Sequence, residues 1–525
     1  MNRQRKTQAP KHGGGQASGL SSNINLLNTI VGAGTLAMPA ALSHFGIVLG
    51  SILIVWCGVT SAFGLYLQAR SARYLDRGGS SFFALSQITY PNAAVVFDAA
   101  IAIKCFGVGV SYMIIIGQLM PGVVRGFDSR ADDIPFLVDR QFWITAFMLV
   151  IIPLSFLRRL DSLKYTSVVA LVSIGYLIVL VVYHFAADSH PDRGELRIIT
   201  WGGPIGALKN LPVVIFAYTC HQNMFSILNE IKDNTPASIV GVIAASIGSA
   251  ASIYVLVAIT GYLTFGNSVN GNIISMYPPS VASTIGKAAI VILVMFSIPL
   301  QVHPCRASID AVLKWRPNKY SRLPTSAPGR SSSPNGQPLM SSSANAPLDN
   351  HGSPASHISE LRFAIITTVI LVLSYATALT VSSLDRVLAY VGSTGSTSIS
   401  FILPGLFYYK ISDPEGVHHQ RLTKEDDDAA DVDESSSDED ALEPAGASLV
   451  DSVASLQSGV SGLLGRPRWR WMRRWRWDLE HLETGLLRKL ALCLSIYGII
   501  VMIVCLTMNL FVNAAQVHEV ETVVL

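Results

Sequence analysis

In the stretch "NTIVGAGTLAMPAALSHFG", residues 28–46, Gly32, Gly34 and Thr35 fall in the middle of an apolar run, with Pro39 just beyond. Glycine weakens a helix interior, and a threonine hydroxyl satisfies backbone groups that a broken helix sets free. The ladder is therefore expected to open around Val31, Gly32, Ala33, Gly34 and Thr35. A half-helix beginning near Leu36 would offer unpaired N–H groups and positive dipole to a carboxylate. A half ending near Ile30 would offer carbonyls to a cation. That chemistry fits a ligand bearing both charges, an amino acid. Close helix packing through small residues is the other reading of the same segment.

A second interruption favours the open ladder. The stretch "LPVVIFAYTCHQNMFSILNE" passes from an apolar half, ending at Phe216, into Ala217, Tyr218, Thr219, Cys220, His221, Gln222 and Asn223. Polar groups that deep are costly unless they face a cavity. Asn28 and Ser297, the latter two residues before Pro299, supply neutral oxygens suited either to sodium or to interhelical hydrogen bonds. His221 and His303 suit either proton carriage or a structural role. Asp98 and Lys104 are six residues apart and fall on different helix faces. Asp98 is expected near the cytoplasmic interface, and Lys104 is expected to reach a neighbour or a backbone carbonyl. The Gly, Ser and Thr of "YVGSTGSTSISFILPGLFYY" suit tight packing and are not read as a binding site.

The elements that must hold these residues are membrane helices. Half of the 525 residues are apolar and only 14% are charged, which excludes a single soluble core. A span needs roughly 20 apolar residues. Eleven windows qualify: 23–45, 47–70, 93–121, 141–157, 163–186, 207–230, 236–265, 281–305, 361–382, 384–409 and 486–512. The two interrupted windows are the first and the sixth. Each opens a five-span half, which points to an inverted-repeat transporter.

Loop charge orients the chain, since Lys and Arg gather on the cytoplasmic side. The basic N-terminus, Arg70, Arg73 and Arg77, then Arg158, Arg159 and Lys164, share one side with Arg306, Lys314 and Arg316. The expected organisation is a cytosolic N-terminus over 1–22, eight spans within 23–305 and a Ser/Pro-rich cytosolic loop over 306–360. Spans nine and ten follow within 361–409. An acidic cytosolic loop occupies 410–485, the eleventh span 486–512 and a lumenal C-terminus 513–525. Both loops have compositions that cannot bury a core. Ser435, Ser436 and Ser437 sit among acids as linker residues or phosphorylation targets. The run "RPRWRWMRRWRW", which begins at Arg466 and ends at Trp477, suits anionic lipid at the cytoplasmic interface.

The net charge of +3 is small and gives nucleic acid binding no support. Six cysteines lie in or beside apolar windows, without disulfide or metal spacing. No HExxH, paired catalytic Asp or nucleophile motif marks an intramembrane enzyme. No cofactor is expected beyond a coupling ion.

"INLLNTIVGAGTLAMPAALSHFG", "FAYTCHQNMFSILNE" and "GSTGSTSISFILPG" resemble hallmark segments of the amino acid/auxin permease family, especially its fungal vacuolar branch. The resemblance covers essentially all eleven spans. It implies an all-α polytopic membrane protein with the five-plus-five inverted-repeat fold (LeuT-like, APC superfamily) and an added eleventh helix. It also implies amino acid transport coupled to H+, or to Na+ as in the related sodium-coupled neutral amino acid transporters. Carried over, the substrate falls at Val31, Gly32, Ala33, Gly34, Thr35, Phe216, Ala217, Tyr218 and Thr219, and the sodium position of those relatives at Asn28 and Ser297. The loop "ADSHPDRGELRIITWGGP" lacks Cys and a glycosylation sequon, which favours the vacuolar branch, whose members often move neutral amino acids out of the vacuole. A sodium-coupled carrier and an amino acid sensor with little flux are the alternatives. Gly34→Val is expected to fill the break and abolish flux with folding intact.

Overall fold

A computed structural model describes residues 17–75, 78–128, 130–157, 166–187, 193–314, 359–416, 419–420 and 485–512. The Ser/Pro-rich stretch 317–358, the acidic run, the Arg/Trp run from Arg466 to Trp477 and both chain ends lie outside the described residues.

Local chemistry starts the helices. Ser18 Oγ accepts from Ser21 N–H at 3.2 Å and opens α1, Gly19–Ile30. After two residues α2 runs over Ala33–Phe45, bent 54° from α1. Gly46, at φ +76°, turns the chain straight into α3, Ile47–Ala72; a methyl there would stand 2.5 Å from Thr200 O. A short helix α4, Phe82–Thr89, precedes α5, Ala94–Phe127. Asp139 Oδ2 accepts from Phe142 N–H at 3.0 Å and caps α6, Arg140–Ser155. Then come α7, Thr166–Ala186; α8, Gly203–Ala217; and α9, His221–Glu230. Pro236 at the first helical position, behind the cap Thr235, begins α10, Pro236–Phe265. A single turn α11, Ile273–Met276, leads to α12, Val281–Lys314, and α13, Glu360–Thr380. The helix over 384–411 comprises α14, Leu384–Val391, two π-helical stretches, Gly392–Ser396 and Ser398–Ile402, and α15, Leu403–Ile411. The last helix is α16, Gly485–Val512.

Among the described residues, eight helical stretches are long and apolar enough to cross a bilayer, and the bent pair α1/α2 makes a ninth. The two remaining expected windows are helical but fall outside that count. Helix α6 is apolar but has only 16 residues, about 24 Å at the standard rise, and the tenth is the composite helix with its π stretches. Exposed Val48, Ile52, Val55 and Val59 on α3, and Ile496, Ile500 and Ile503 on α16, form apolar stripes suited to lipid.

Packing reveals the symmetry that the windows imply. Half one is α1/α2, α3, α5, α6 and α7; half two is α8/α9, α10, α12, α13 and 384–411. Four of the five pack against their counterparts: α2 on α8 with α1 on α9, α3 on α10, α5 on α12, and α6 on α13. The crossed pairing within the first set means that the two broken spans run antiparallel, so that their interruptions lie side by side.

Candidate functional site at the paired helix breaks

The first break is narrower than expected. Only Val31 and Gly32 leave the helix, and Ala33, Gly34 and Thr35 already belong to α2. Glycine at 34 is compatible with a first helical turn, so the interruption closes sooner than composition suggests. The bonding gap is nonetheless wide. Val31 N–H donates to Leu27 O at 2.9 Å and Thr35 N–H to Gly32 O at 3.0 Å. The N–H groups of Gly32, Ala33 and Gly34 find no acceptor among the described residues. The carbonyls of Asn28 and Thr29 likewise receive no donor. Free donors at the start of α2 and free acceptors at the end of α1 thus face one place in the interior of the bundle.

The second break comprises Tyr218, Thr219 and Cys220, so Phe216 and Ala217 end α8 while His221 begins α9. Thr219 N–H donates to Phe216 O at 3.0 Å, and Thr219 Oγ1 to Ile215 O at 3.0 Å. Neighbouring helices hold the loose ends. The Tyr254 hydroxyl on α10 lies 2.7 Å from Ile30 O and 2.7 Å from Ala217 O, the last carbonyls of α1 and α8. Ser61 on α3 donates to Tyr218 O at 3.2 Å, and Gln68 Nε2 to His221 O at 2.9 Å. Asn223 Nδ2 donates to Thr29 Oγ1 at 2.9 Å and ties α9 to α1.

The two breaks touch. A methyl on Gly34 would stand 2.5 Å from Ala217 Cβ and 2.8 Å from its Cα. Tyr112 on α5 faces the first break, its hydroxyl 3.9 Å from where a methyl on Gly32 would be. In and beside the two breaks several buried polar atoms have no hydrogen-bond partner among the described residues: Asn28 Oδ1, Thr35 Oγ1, Gln222 Oε1 and Tyr218 Oη, the last lying against Gly58 of α3. Buried polar atoms are normally paired, which makes these unused ones candidates for contact with a polar guest.

Residues 15–426 match the sequence model of the family described as transmembrane amino acid transporter protein. The chain belongs to this family. It is 45% identical over 408 residues to vacuolar amino acid transporter 6 of Saccharomyces cerevisiae, covering 75% of this chain and 90% of that protein. It is 23% identical over 443 residues to sodium-coupled neutral amino acid symporter 2 of Danio rerio, covering 79% of each. The crystal structure of MhsT in complex with L-phenylalanine shares the fold at a TM-score of 0.50 and 13% identity, covering 95% of this chain and all of that one. The family is one of transporters, not enzymes, and the LeuT-like architecture accounts for the paired breaks.

Within this family member the structure sets Gly34 of the first break against Ala217 at the end of α8. The two proposed sodium ligands sit on different helices. Asn28 sits on α1, which packs mainly on α10, whereas Ser297 sits on α12, which packs mainly on α5. Ser297 Oγ donates to Leu293 O within its own helix at 2.8 Å, and no hydrogen bond among the described residues links it with Asn28. His221 is fully buried with Nε2 3.2 Å from Ser61 O. Lys104 reaches no backbone carbonyl among the described residues; it is buried with its neighbours Cys105 and Cys220.

Sequence reasoning missed Tyr254, Tyr112, Ser61 and Gln68. Nothing in the apolar run "ASIYVLVAITGYLTF" distinguishes Tyr254 from a packing aromatic. Its role follows from a partner 224 residues away.

Proposed function

We propose that the chain is a secondary active transporter that moves neutral amino acids across the vacuolar membrane by alternating access, driven by a proton gradient. The observation that supports this most is the set of free N–H groups on Gly32, Ala33 and Gly34 at the start of α2, opposed by the free carbonyls of Asn28 and Thr29. Backbone left bare at that depth is stable only against a polar ligand or cavity. The α-carboxylate takes the N–H groups, and the α-ammonium takes the carbonyls and the Thr35 and Tyr218 hydroxyls. Phe216, Ala217 and Val31, uncharged and buried, suit an uncharged side chain.

The yeast relative's name supports a vacuolar location, and loop charge supports a cytosolic N-terminus with the Arg466 to Trp477 run on anionic lipid. A proton rather than sodium as coupling ion is supported by the relatives: the one named as sodium-coupled is 23% identical to this chain, the vacuolar one 45%. Counterflow in reconstituted vesicles tests the reading. Vesicles preloaded with an unlabelled amino acid should take up the labelled one, for several neutral amino acids, and an imposed pH gradient should drive accumulation without sodium. Binding without exchange would instead establish a sensor.

A further inference from the structure

The scheme above gives no task to one buried cation. Lys104 on α5 is 3% exposed, and no carboxylate among the described residues lies within ion-pair distance of it. Its titratable neighbours are Cys105 on its own helix, Cys220 in the second break and His221 at the start of α9. Helix α12 adds Cys305, whose thiol lies 3.5 Å from Ala102 O. The first π-helical stretch presses Gly395 onto the lysine: a methyl there would stand 2.7 Å from Lys104 Cβ. None of these neighbours is an anion near neutral pH.

His221 completes the arrangement. Its Nε2 faces Ser61 O at 3.2 Å, and a carbonyl only accepts, so Nε2 carries the hydrogen. Nδ1 is then a bare acceptor, buried and without a partner among the described residues. An ammonium with no counter-ion and an unused proton acceptor are thus both buried, with no hydrogen bond between them among the described residues. Holding an isolated charge at that depth is costly, and an amine, unlike a guanidinium, can shed it.

We propose that Lys104 holds the coupled proton of the transport cycle and exchanges it with water that enters at the second break. The step balances simply: the Nζ–H bond breaks, the nitrogen keeps the electron pair, and a water in the opened cavity gains the proton, with His221 Nδ1 as an acceptor such a water can reach in turn. The π stretch 392–402 abuts the lysine, so rearrangement there alters access to the amine.

This inference rests on the transporter reading, and the experiment separates the two. Full-length protein is reconstituted with a labelled amino acid that the wild type exchanges. Counterflow at equal pH and accumulation driven by a pH gradient are both read. Lys104→Gln, permanently neutral, and Lys104→Arg, permanently charged, should each keep exchange and lose uphill accumulation, the tracer merely equilibrating. Uphill accumulation at the wild-type level in either folded variant overturns the proposal. So does a Lys104→Gln variant that loses exchange only of amino acids with anionic side chains, which would make the lysine a substrate contact. Wild-type protein that exchanges amino acids but ignores the pH gradient overturns the proton role and leaves the carrier standing. Wild-type protein that exchanges none overturns the carrier itself.

Discussion

A hydroxyl has one proton, and Tyr254 brings it to two carbonyls at once, Ile30 O and Ala217 O. Only one can receive it, and the other is left for a ligand ammonium or a water. Removing the hydroxyl strands the buried carbonyl that received it, at about 1–3 kcal/mol for an unpaired group. Tyr254→Phe should therefore lower the thermal midpoint in detergent and weaken amino acid binding, both visible in a ligand-dependent melting series. Gly34 makes a different case. Sequence alone suggests that valine there fills a gap and spares the fold, but the 2.5 Å approach to Ala217 leaves no gap to fill. Overpacking typically costs about 1–3 kcal/mol, so Gly34→Val should abolish exchange and also depress the midpoint; an unchanged melt would contradict the contact. Gly32, Gly34 and Tyr218 were legible because polar or small residues inside apolar runs are conspicuous. Tyr254 and Tyr112 were not, since an aromatic in a span has the same composition whether it faces lipid, core or ligand.

At the level of elements, both interruptions were readable and their lengths were not. Composition flags where a ladder is weak, whereas its rupture depends on what a neighbour can supply, here Tyr254, Ser61 and Gln68. The π-helical stretches were invisible for the same reason, because "GSTGSTSISFI" is equally compatible with ordinary helix. They follow from close approaches: a methyl on Gly392 would collide with Pro212 O, and one on Gly395 with Lys104. Such π turns occur often at functional sites. Gly392→Ala should push α14 away from α8, with exchange slowed more than binding is weakened. Parallel measurements of initial counterflow rate and apparent affinity check this; an affinity loss as large as the rate loss would place the residue in the binding step instead.

At the scale of the whole molecule, counterpart helices of the two halves meet face to face, and the family match ends at 426. The acidic run lies beyond that boundary apart from its first residues. Deleting 425–443 should therefore leave counterflow in vesicles at the wild-type rate, and a lost signal would make the run part of the transport machinery. The spans were legible because a bilayer imposes length and greasiness. The contacts between halves were not, because each half shows no visible sequence likeness to the other.

At one end of the bundle the chain before α1 meets the end of α9: Ala17 N–H donates to Glu230 O at 2.9 Å, and Lys232 N–H to Ala17 O at 2.9 Å. Two main-chain bonds thus fasten the entry to one broken span onto the exit from the other, sixteen residues from the first methionine. Proline at position 17 would remove the N–H that Glu230 O receives and so undo one of the two bonds. Ala17→Pro should consequently slow counterflow in reconstituted vesicles, and a wild-type rate in that variant would show that the clasp is idle in turnover.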